Sequence, residues 1–132
     1  MKRFAVILLL VTSFHCRKAE NKAYNNSLIE GNWELRKSEG GIAGTILYPS
    51  GNGVILRFDE RFHYSMVRNS AVYEMGTYLV SRTTTPGILQ LQLKNLSNSL
   101  TTTISVRLTA STLILLPASV CCDMATYTYN KI

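Results

Sequence analysis

"LQLQLKNLSNSLTTTISVRL", residues 89–108, has the clearest secondary-structure pattern in the chain. Every second residue is leucine from Leu89 to Leu93, and apolar and polar residues alternate in the same way over residues 101–108. A period of two, with β-branched residues, is typical of strands that bury one face. The segment between them, residues 95–99, is polar except for Leu96 and is typical of a hairpin connection. This stretch therefore predicts two antiparallel strands joined by a short turn.

The same alternation recurs through the rest of the chain and predicts six further strands. Their apolar residues are Trp33 and Leu35; Val54, Leu56 and Phe58; Phe62, Tyr64 and Met66; Tyr78 and Val80; Leu113 to Leu116; and Tyr127 and Tyr129. The connections between most of them are short enough for hairpins. We therefore predict an all-β fold in which eight sequential strands close into an antiparallel up-and-down barrel, since closure leaves no exposed edge. A two-sheet sandwich is the alternative.

One long connection interrupts this regular pattern. The segment from Glu30 to Gly53 contains the chain's single tryptophan, Trp33, and six of its eight glycines. We expect the Trp33 ring to plug one end of the barrel. The glycine-rich part of this segment, residues 40–53, is the longest strand connection, and a loop of this length in a compact domain is often a lid, a binding loop or a disordered segment. Because it carries the apolar residues Ile42 and Tyr48, we expect it to fold back over the open end of the barrel.

The N-terminus has the pattern of an export signal. Two cations precede an apolar run from Phe4 to Val11, which is too short to span a bilayer as a helix. Cys16 then stands where a bacterial lipobox has its lipidated cysteine, and ordinary cleavage after Ser13 is the alternative. We predict a signal peptide with a lipobox-like Cys16 over residues 1–16, a polar tether over residues 17–27 and one barrel domain over residues 28–132. The expected location is the bacterial outer membrane or periplasm, with secretion as the alternative.

Composition excludes several classes of protein. The net charge is +6, but the cations are scattered singly, so we expect no nucleic-acid partner. Metal binding needs more ligands at close spacing than His63 and the adjacent Cys121 and Cys122 supply, so we expect no metal and no cofactor. These two cysteines are expected to be free thiols, with a strained vicinal disulfide as the alternative.

Reactive residue types occur in patterns that have structural explanations. His63 and Ser65 share a strand face, but Tyr64 and Met66 claim the inner face, which places the first pair outside. Asp59 lies in a turn, where aspartate hydrogen bonds its own backbone. The glycine loops lead into a strand and not into a helix, as a phosphate loop requires. We therefore expect a protein that is not an enzyme.

Three short motifs resemble those of a known family. "GNW" at residues 31–33 is similar to the motif that opens the first strand of lipocalins, "GTY" at residues 76–78 falls in a middle strand, and "YTYNK" at residues 127–131 forms the closing strand. The arrangement resembles the small lipocalin-like lipoproteins of the Bacteroidota. This resemblance implies an eight-stranded barrel that either binds a small apolar molecule or is filled by side chains. In lipocalins a basic residue of the final strand packs over this tryptophan, so the resemblance makes Lys131 a candidate for a cation–π contact with Trp33, with a solvated terminal lysine as the favoured alternative.

The leading functional prediction is an exported, lipid-anchored, monomeric protein that binds a small apolar ligand inside the barrel. Glu74 falls on the inner alternation, either as an anchor for a ligand's polar end or as the mark of a β-bulge or of a strand end at the water line. The alternative is a filled barrel that acts as a structural or inhibitor-like interaction module of the cell envelope. The residues predicted to line a ligand site are Trp33, Ile42, Tyr48, Leu56, Phe58, Tyr64, Met66, Glu74 and Tyr78.

Overall fold

The computed structural model describes residues 26–117 and 124–132. After a short 3-10 helix, Asn26–Leu28, every element in these ranges is a strand. The strands are β1 (Gly31–Glu39), β2 (Thr45–Leu47), β3 (Val54–Phe58), β4 (His63–Arg68), β5 (Ala71–Arg82), β6 (Leu89–Asn95), β7 (Thr101–Leu108), β8 (Thr112–Leu116) and β9 (Thr126–Lys131). The predicted signal peptide, Cys16, most of the tether and the cysteine pair lie outside the described residues.

The sheet closes on itself, which confirms the predicted barrel. Each strand from β3 to β9 pairs antiparallel with the next along the chain. β1 pairs with β3 on one side and with β9 on the other, where Trp33 lies opposite Lys131 and Leu35 opposite Tyr129. Eight strands therefore form a closed antiparallel barrel, and β2 is an additional short strand beside β1.

Antiparallel register gives the barrel two distinct ends. At the first, the start of β1 lies beside the end of β9, and the turn from β3 to β4 is close by; we call this the Trp33 end. At the second are the loop 40–53, the two-residue turn between Arg68 and Ala71, and the loop 96–100; we call this the mouth. The predicted hairpins are all present in the described residues.

The core confirms the alternation predicted from the sequence. Side chains from all eight barrel strands point inward and are buried by one another, as expected for a small barrel that its own residues fill. The buried apolar cluster consists of Ile29, Trp33, Leu56, Phe58, Tyr64, Tyr78, Val80, Leu89, Leu91, Leu93, Val106, Leu113 and Leu115. Met66, Ile104, Leu108 and Tyr129 are partly buried against it.

The long glycine-rich loop corrects one prediction. Instead of folding over the mouth, it forms β2, which pairs with the end of β1 over Lys37–Glu39, and Ile42 at its tip is 98% exposed. The prediction that Ile42 covers the open end is therefore wrong. The physical reason is that the backbone of β1 pairs with β3 only as far as Glu34. Its remaining polar groups need partners, and the loop supplies them.

Several hydrogen bonds hold this loop against β1. The side-chain amide of Asn52 donates to the carbonyl oxygens of Leu35 and Pro49, at 2.7 Å each. The backbone N–H of Tyr48 donates to the backbone carbonyl oxygen of Arg36 at 2.8 Å. The Arg36 guanidinium donates to Ser50 and forms an ion pair with Glu34. The Glu34 side chain is almost fully buried, so this pair neutralises a carboxylate that would be costly to bury alone.

Candidate ligand-binding site

The Trp33 end of the barrel is filled by aromatic side chains. The Trp33 indole N–H donates to the carbonyl oxygen of Ile29 at 2.7 Å, which satisfies its one polar atom inside the core. Phe58 packs edge-to-face on Tyr78, with ring centroids 4.9 Å apart. The Tyr78 hydroxyl donates to the carbonyl oxygen of Asp59 at 2.9 Å. Burial, with lesser effects of nearby carboxylates, raises the pKa of Tyr78 to about 12.

A tyrosine–glutamate pair lies in the middle of the barrel. The Tyr64 hydroxyl donates to the Glu74 carboxylate at 2.7 Å. Burial and this hydrogen bond raise the pKa of Tyr64 above its ordinary value. Glu74 lies at a β-bulge, because Met66 pairs with Glu74 but Val67 pairs with Val72. The bulge predicted as one explanation of this inward acid is therefore confirmed, and the Tyr64 hydroxyl is its partner.

Tyrosines gather at the mouth. Tyr129 is half-buried there, and its pKa is raised to about 12, first by burial and then by the neighbouring hydroxyls of Tyr73, Tyr127 and Tyr48, while Arg68 lowers it. The Tyr48 hydroxyl lies 3.4 Å from that of Ser38, a buried residue of β1. Tyr48 therefore reaches the mouth from the loop, although Ile42 does not.

A cavity of about 360 Å³ opens at the mouth between β7 and the β8–β9 side of the barrel; we call it the mouth cavity. It is lined by Thr102, Thr103, Ile104, Leu115, Leu116, Pro117, Met124, Ala125 and Tyr127. Four of these side chains are on the inner face, because each pairs with an inward residue of a neighbouring strand. They are Thr102 (opposite Leu93), Ile104 (opposite Leu91), Leu115 (opposite Val106) and Tyr127 (opposite Leu115). Its size falls within the range of small-molecule sites, and its surface is mainly apolar with three hydroxyl groups.

A second and larger depression of about 700 Å³ lies on the outer wall of the barrel; we call it the outer groove. It crosses β3, β4 and β5 and is lined by Gly31, Asn32, Arg57, Phe58, Asp59, His63, Tyr64, Ser65, Val72, Met75, Gly76, Thr77 and Leu96. As predicted, His63 is on the outside, and its ring nitrogen lies 3.3 Å from the Asp59 carboxylate.

The Asp59 carboxylate caps a turn. Its oxygen accepts the backbone N–H groups of His63 and Arg61, each at 2.9 Å. These two hydrogen bonds hold the pKa of Asp59 below its ordinary value, and the bond from the backbone of His63 has the larger effect. The turn role predicted from the sequence is confirmed, and the cap accounts for the close approach of His63 to this acid.

Comparisons with known proteins give no assignment. No family model, curated protein or solved structure matches the chain. The barrel is consistent with the lipocalin-like architecture that the three motifs imply, and membership of that family stays a prediction.

The residues predicted to bind a ligand fall into three groups. Trp33, Leu56, Phe58, Tyr64 and Tyr78 are buried by neighbouring side chains in the barrel. Met66 and Glu74 are partly buried above them, and Tyr48 lies at the mouth. Ile42 projects away from the barrel. None of the nine lines the mouth cavity, so their binding role stays a prediction.

Sequence reasoning missed the residues of the mouth cavity. The alternation does place Thr102, Ile104 and Tyr127 on the inner face, but it assigns the same orientation to residues that fill the core. The signal that distinguishes them is size and polarity. Thr102 is the one polar inward residue of β7, and it pairs with Leu93 near the mouth end of that strand.

Over residues 26–117 and 124–132, no three His, Cys, Asp or Glu side chains are grouped as a metal ion would require.

The same part of the chain has no helix of sufficient length and apolar character to cross a bilayer.

Proposed function

We propose that this protein binds the apolar part of a small amphipathic molecule in the mouth cavity. The observation that carries the proposal is the difference in packing between the two ends of the barrel. Its Trp33 end is packed with side chains that are almost fully buried, whereas the mouth has about 360 Å³ of space with an apolar lining. Burial of apolar ligand surface there is favourable at roughly 25 cal/mol per Å² removed from water.

The chemistry of the lining favours one class of ligand. Ile104, Leu115 and Leu116 offer contacts to an alkyl chain, while the hydroxyls of Thr102 and Tyr127 lie at the edge of the same cavity. A ligand of this shape has a short apolar segment inside and a polar group near the hydroxyls. The packed core below limits the depth to which a chain enters, so we propose a short or bent tail.

The cellular setting of this binding is also a proposal. The N-terminal pattern of cations, an apolar run and Cys16 supports an exported protein with a lipid anchor. We propose that the barrel acts in the cell envelope as a carrier or sensor of its ligand, without catalysis.

Obstruction of the mouth cavity tests the binding proposal. Thr102→Tyr places a large ring at its edge, and because Thr102 is exposed, the fold should tolerate it. Thr101→Tyr is the matched control, since Thr101 is equally exposed but does not line the cavity. Uptake of a fluorescent fatty acid in detergent-free buffer should fall at least about tenfold in the first variant, which corresponds to about 1.4 kcal/mol, and stay unchanged in the second. Equal uptake by both variants, or none by the wild type, would refute the proposal.

The outer groove favours a second candidate function. A filled barrel that contacts another envelope protein would use an external surface, and this groove offers about 700 Å³ with Arg57 and His63 beside the apolar Met75 and Val72. The fatty-acid experiment separates the two, because this candidate predicts no uptake by any variant. Crosslinking in intact cells from position 77, an exposed position that lines the groove, would then identify the protein partner.

A further inference from the structure

The exposed apolar side chains of the described residues are concentrated at one end of the barrel. At the mouth, Ile42 is 98% exposed, Leu47 74%, Leu96 72% and Leu100 65%. Val72 and Tyr73, next to the turn between β4 and β5, are about half exposed. We call these six residues the apolar rim. They come from three separate loops or turns, so no single irregular segment accounts for them.

The loops that carry the apolar rim are uncharged. Residues 40–53, 69–73 and 95–100 contain no Asp, Glu, Lys or Arg. In the sequence between β8 and β9, residues 117–125, Asp123 is the one charged residue, and that position lies outside the described residues. At the Trp33 end, the turn from β3 to β4 contains Asp59, Glu60 and Arg61, while the turns over residues 83–88 and 109–111 are also uncharged. An exposed apolar patch without charges marks a surface that another phase or molecule covers.

Local structure holds the most exposed rim residue out from the barrel. The backbone N–H of Gly40 donates to the carbonyl oxygen of Gly44 at 3.1 Å, which closes a tight turn with Ile42 at its tip. β2 continues this projection, because it pairs with β1 and presents Leu47 to solvent. Both apolar side chains are therefore accessible for insertion between lipid headgroups.

Cations lie directly behind the apolar rim. Arg68 and Lys94 are exposed near the mouth ends of β4 and β6, and Lys37 is partly exposed near the end of β1. Lys37 is paired with Glu39 at 2.7 Å, and the Glu74 carboxylate accepts the hydroxyl of Tyr64 inside the barrel. Apolar residues at the tip with cations one step behind them match the order of layers in an anionic bilayer, acyl chains first and phosphates next.

We propose that the apolar rim docks on an anionic lipid surface, with the mouth facing the membrane. Ile42, Leu47, Leu96 and Leu100 enter the interface, the half-exposed ring of Tyr73 lies at headgroup level, and Arg68 and Lys94 contact phosphates. This contact is separate from any lipid on Cys16, because it uses the barrel itself. It also does not require that the mouth cavity hold a ligand.

The experiment measures which end of the full-length protein enters the bilayer. A tryptophan is placed at the rim by Ile42→Trp or, as matched control, at an exposed loop position of the opposite end by Thr84→Trp. Both proteins are mixed with phosphatidylethanolamine–phosphatidylglycerol vesicles whose acyl chains carry bromine, a short-range quencher. Wild-type emission from the buried Trp33 is the baseline. The expected result is strong quenching at position 42 and none at position 84.

Every other pattern overturns the proposal. Equal quenching at both positions would mean that the N-terminal segment alone holds the protein at the vesicle. Absence of quenching at position 42 would mean that the rim stays in water. A blue shift at position 42 that grows with protein concentration, without vesicles and without bromine quenching, would show that a second copy covers the rim.

A second pair of variants measures how much the rim contributes. Ile42→Ser combined with Leu47→Ser should lower vesicle partitioning at least about tenfold, because each apolar group transferred to the interface adds to the affinity. Leu79→Ser, which removes a half-exposed apolar side chain from the barrel wall away from the rim, should partition as the wild type does, and this control separates the contribution of the rim from a general loss of apolar surface. Unchanged partitioning of the double variant would overturn the proposal.

Discussion

The Nζ atom of Lys131 lies 5.2 Å from the centre of the Trp33 ring, across the seam where the first and last strands pair. The closure of the barrel therefore brings the Lys131 ammonium of the last strand over the Trp33 ring of the first strand. The same ring donates its N–H to Ile29 just before β1. Three parts of the chain thus meet at one side chain. The contact that the lipocalin resemblance implies is present in its geometry.

Replacement of Trp33 should destabilise the fold more than loss of the cation above it. Trp33→Phe leaves the Ile29 carbonyl unsatisfied and part of the core empty, so we expect a loss of about 2–4 kcal/mol. Lys131→Met keeps the ring covered and removes only the charge, with an expected cost of about 0.5–1 kcal/mol. Urea unfolding followed by circular dichroism measures both. Equal losses would mean that the cation contributes as much as the buried ring.

The sequence predicts the barrel well because its information is local. Alternation at Leu89 to Leu93 gives a strand and a face, and a run of such strands with short turns leaves few ways to bury every face. Even the inward Glu74 is explained by a local bulge. These features depend on neighbours in sequence or on the adjacent strand.

Features that depend on volume or on unpaired backbone are not predictable in this way. Whether Thr102 borders a cavity depends on how far Leu93 and Leu115 fill the space below it. The course of the loop around Ile42 depends on where the pairing of β3 with β1 ends. Beyond that point the backbone N–H and C=O groups of β1 lack a partner from β3, and β2 pairs with them instead. Apolar residues in this loop correctly indicate an unusual surface, but they cannot indicate whether it faces the barrel or solvent.

Gly76 should be the least replaceable glycine of the described residues. A Cβ atom there would overlap the carbonyl oxygen of Lys94 on β6 and lie 2.8 Å from a ring carbon of Tyr64. Because the overlap involves backbone of a paired strand, Gly76→Ala should cost about 3 kcal/mol or more. Gly51→Ala is the control. It has space around it but a positive φ of 77°, so the expected cost is about 1 kcal/mol. A smaller loss at Gly76 than at Gly51, by chemical denaturation, would refute the steric argument.

Alkaline pH should unfold the protein through its buried tyrosines. Tyr78 and Tyr129 have a pKa of about 12 in the folded state, above the ordinary value of about 10. Their neutral phenols therefore stabilise the fold fully below about pH 10, and this stabilisation is lost as the pH rises towards about 12. Tyrosinate absorbance should show a late phase in that window, accompanied by loss of circular dichroism.

Tyr129→Phe should remove part of this late phase, and the urea-unfolded chain is the control. Its seven tyrosines should ionise together at about pH 10. A folded protein in which all tyrosines ionise at about pH 10, with circular dichroism unchanged, would contradict the burial of these hydroxyls.

The turn between β4 and β5 offers a stabilising substitution. Asn69 and Ser70 form a two-residue loop between the paired Arg68 and Ala71, and both have positive φ, of 50° and 66°. That conformation favours Asn-Gly, since glycine adopts positive φ without strain. Ser70→Gly should therefore stabilise the protein by about 0.5–1 kcal/mol and raise Tm by a few degrees. Ala110→Gly, in the β7–β8 turn where φ is not positive, should lower Tm instead, because it only adds freedom to the unfolded chain. Calorimetry of the two variants and the wild type measures these changes in Tm. A decrease in Tm for both variants would mean that glycine does not stabilise the β4–β5 turn.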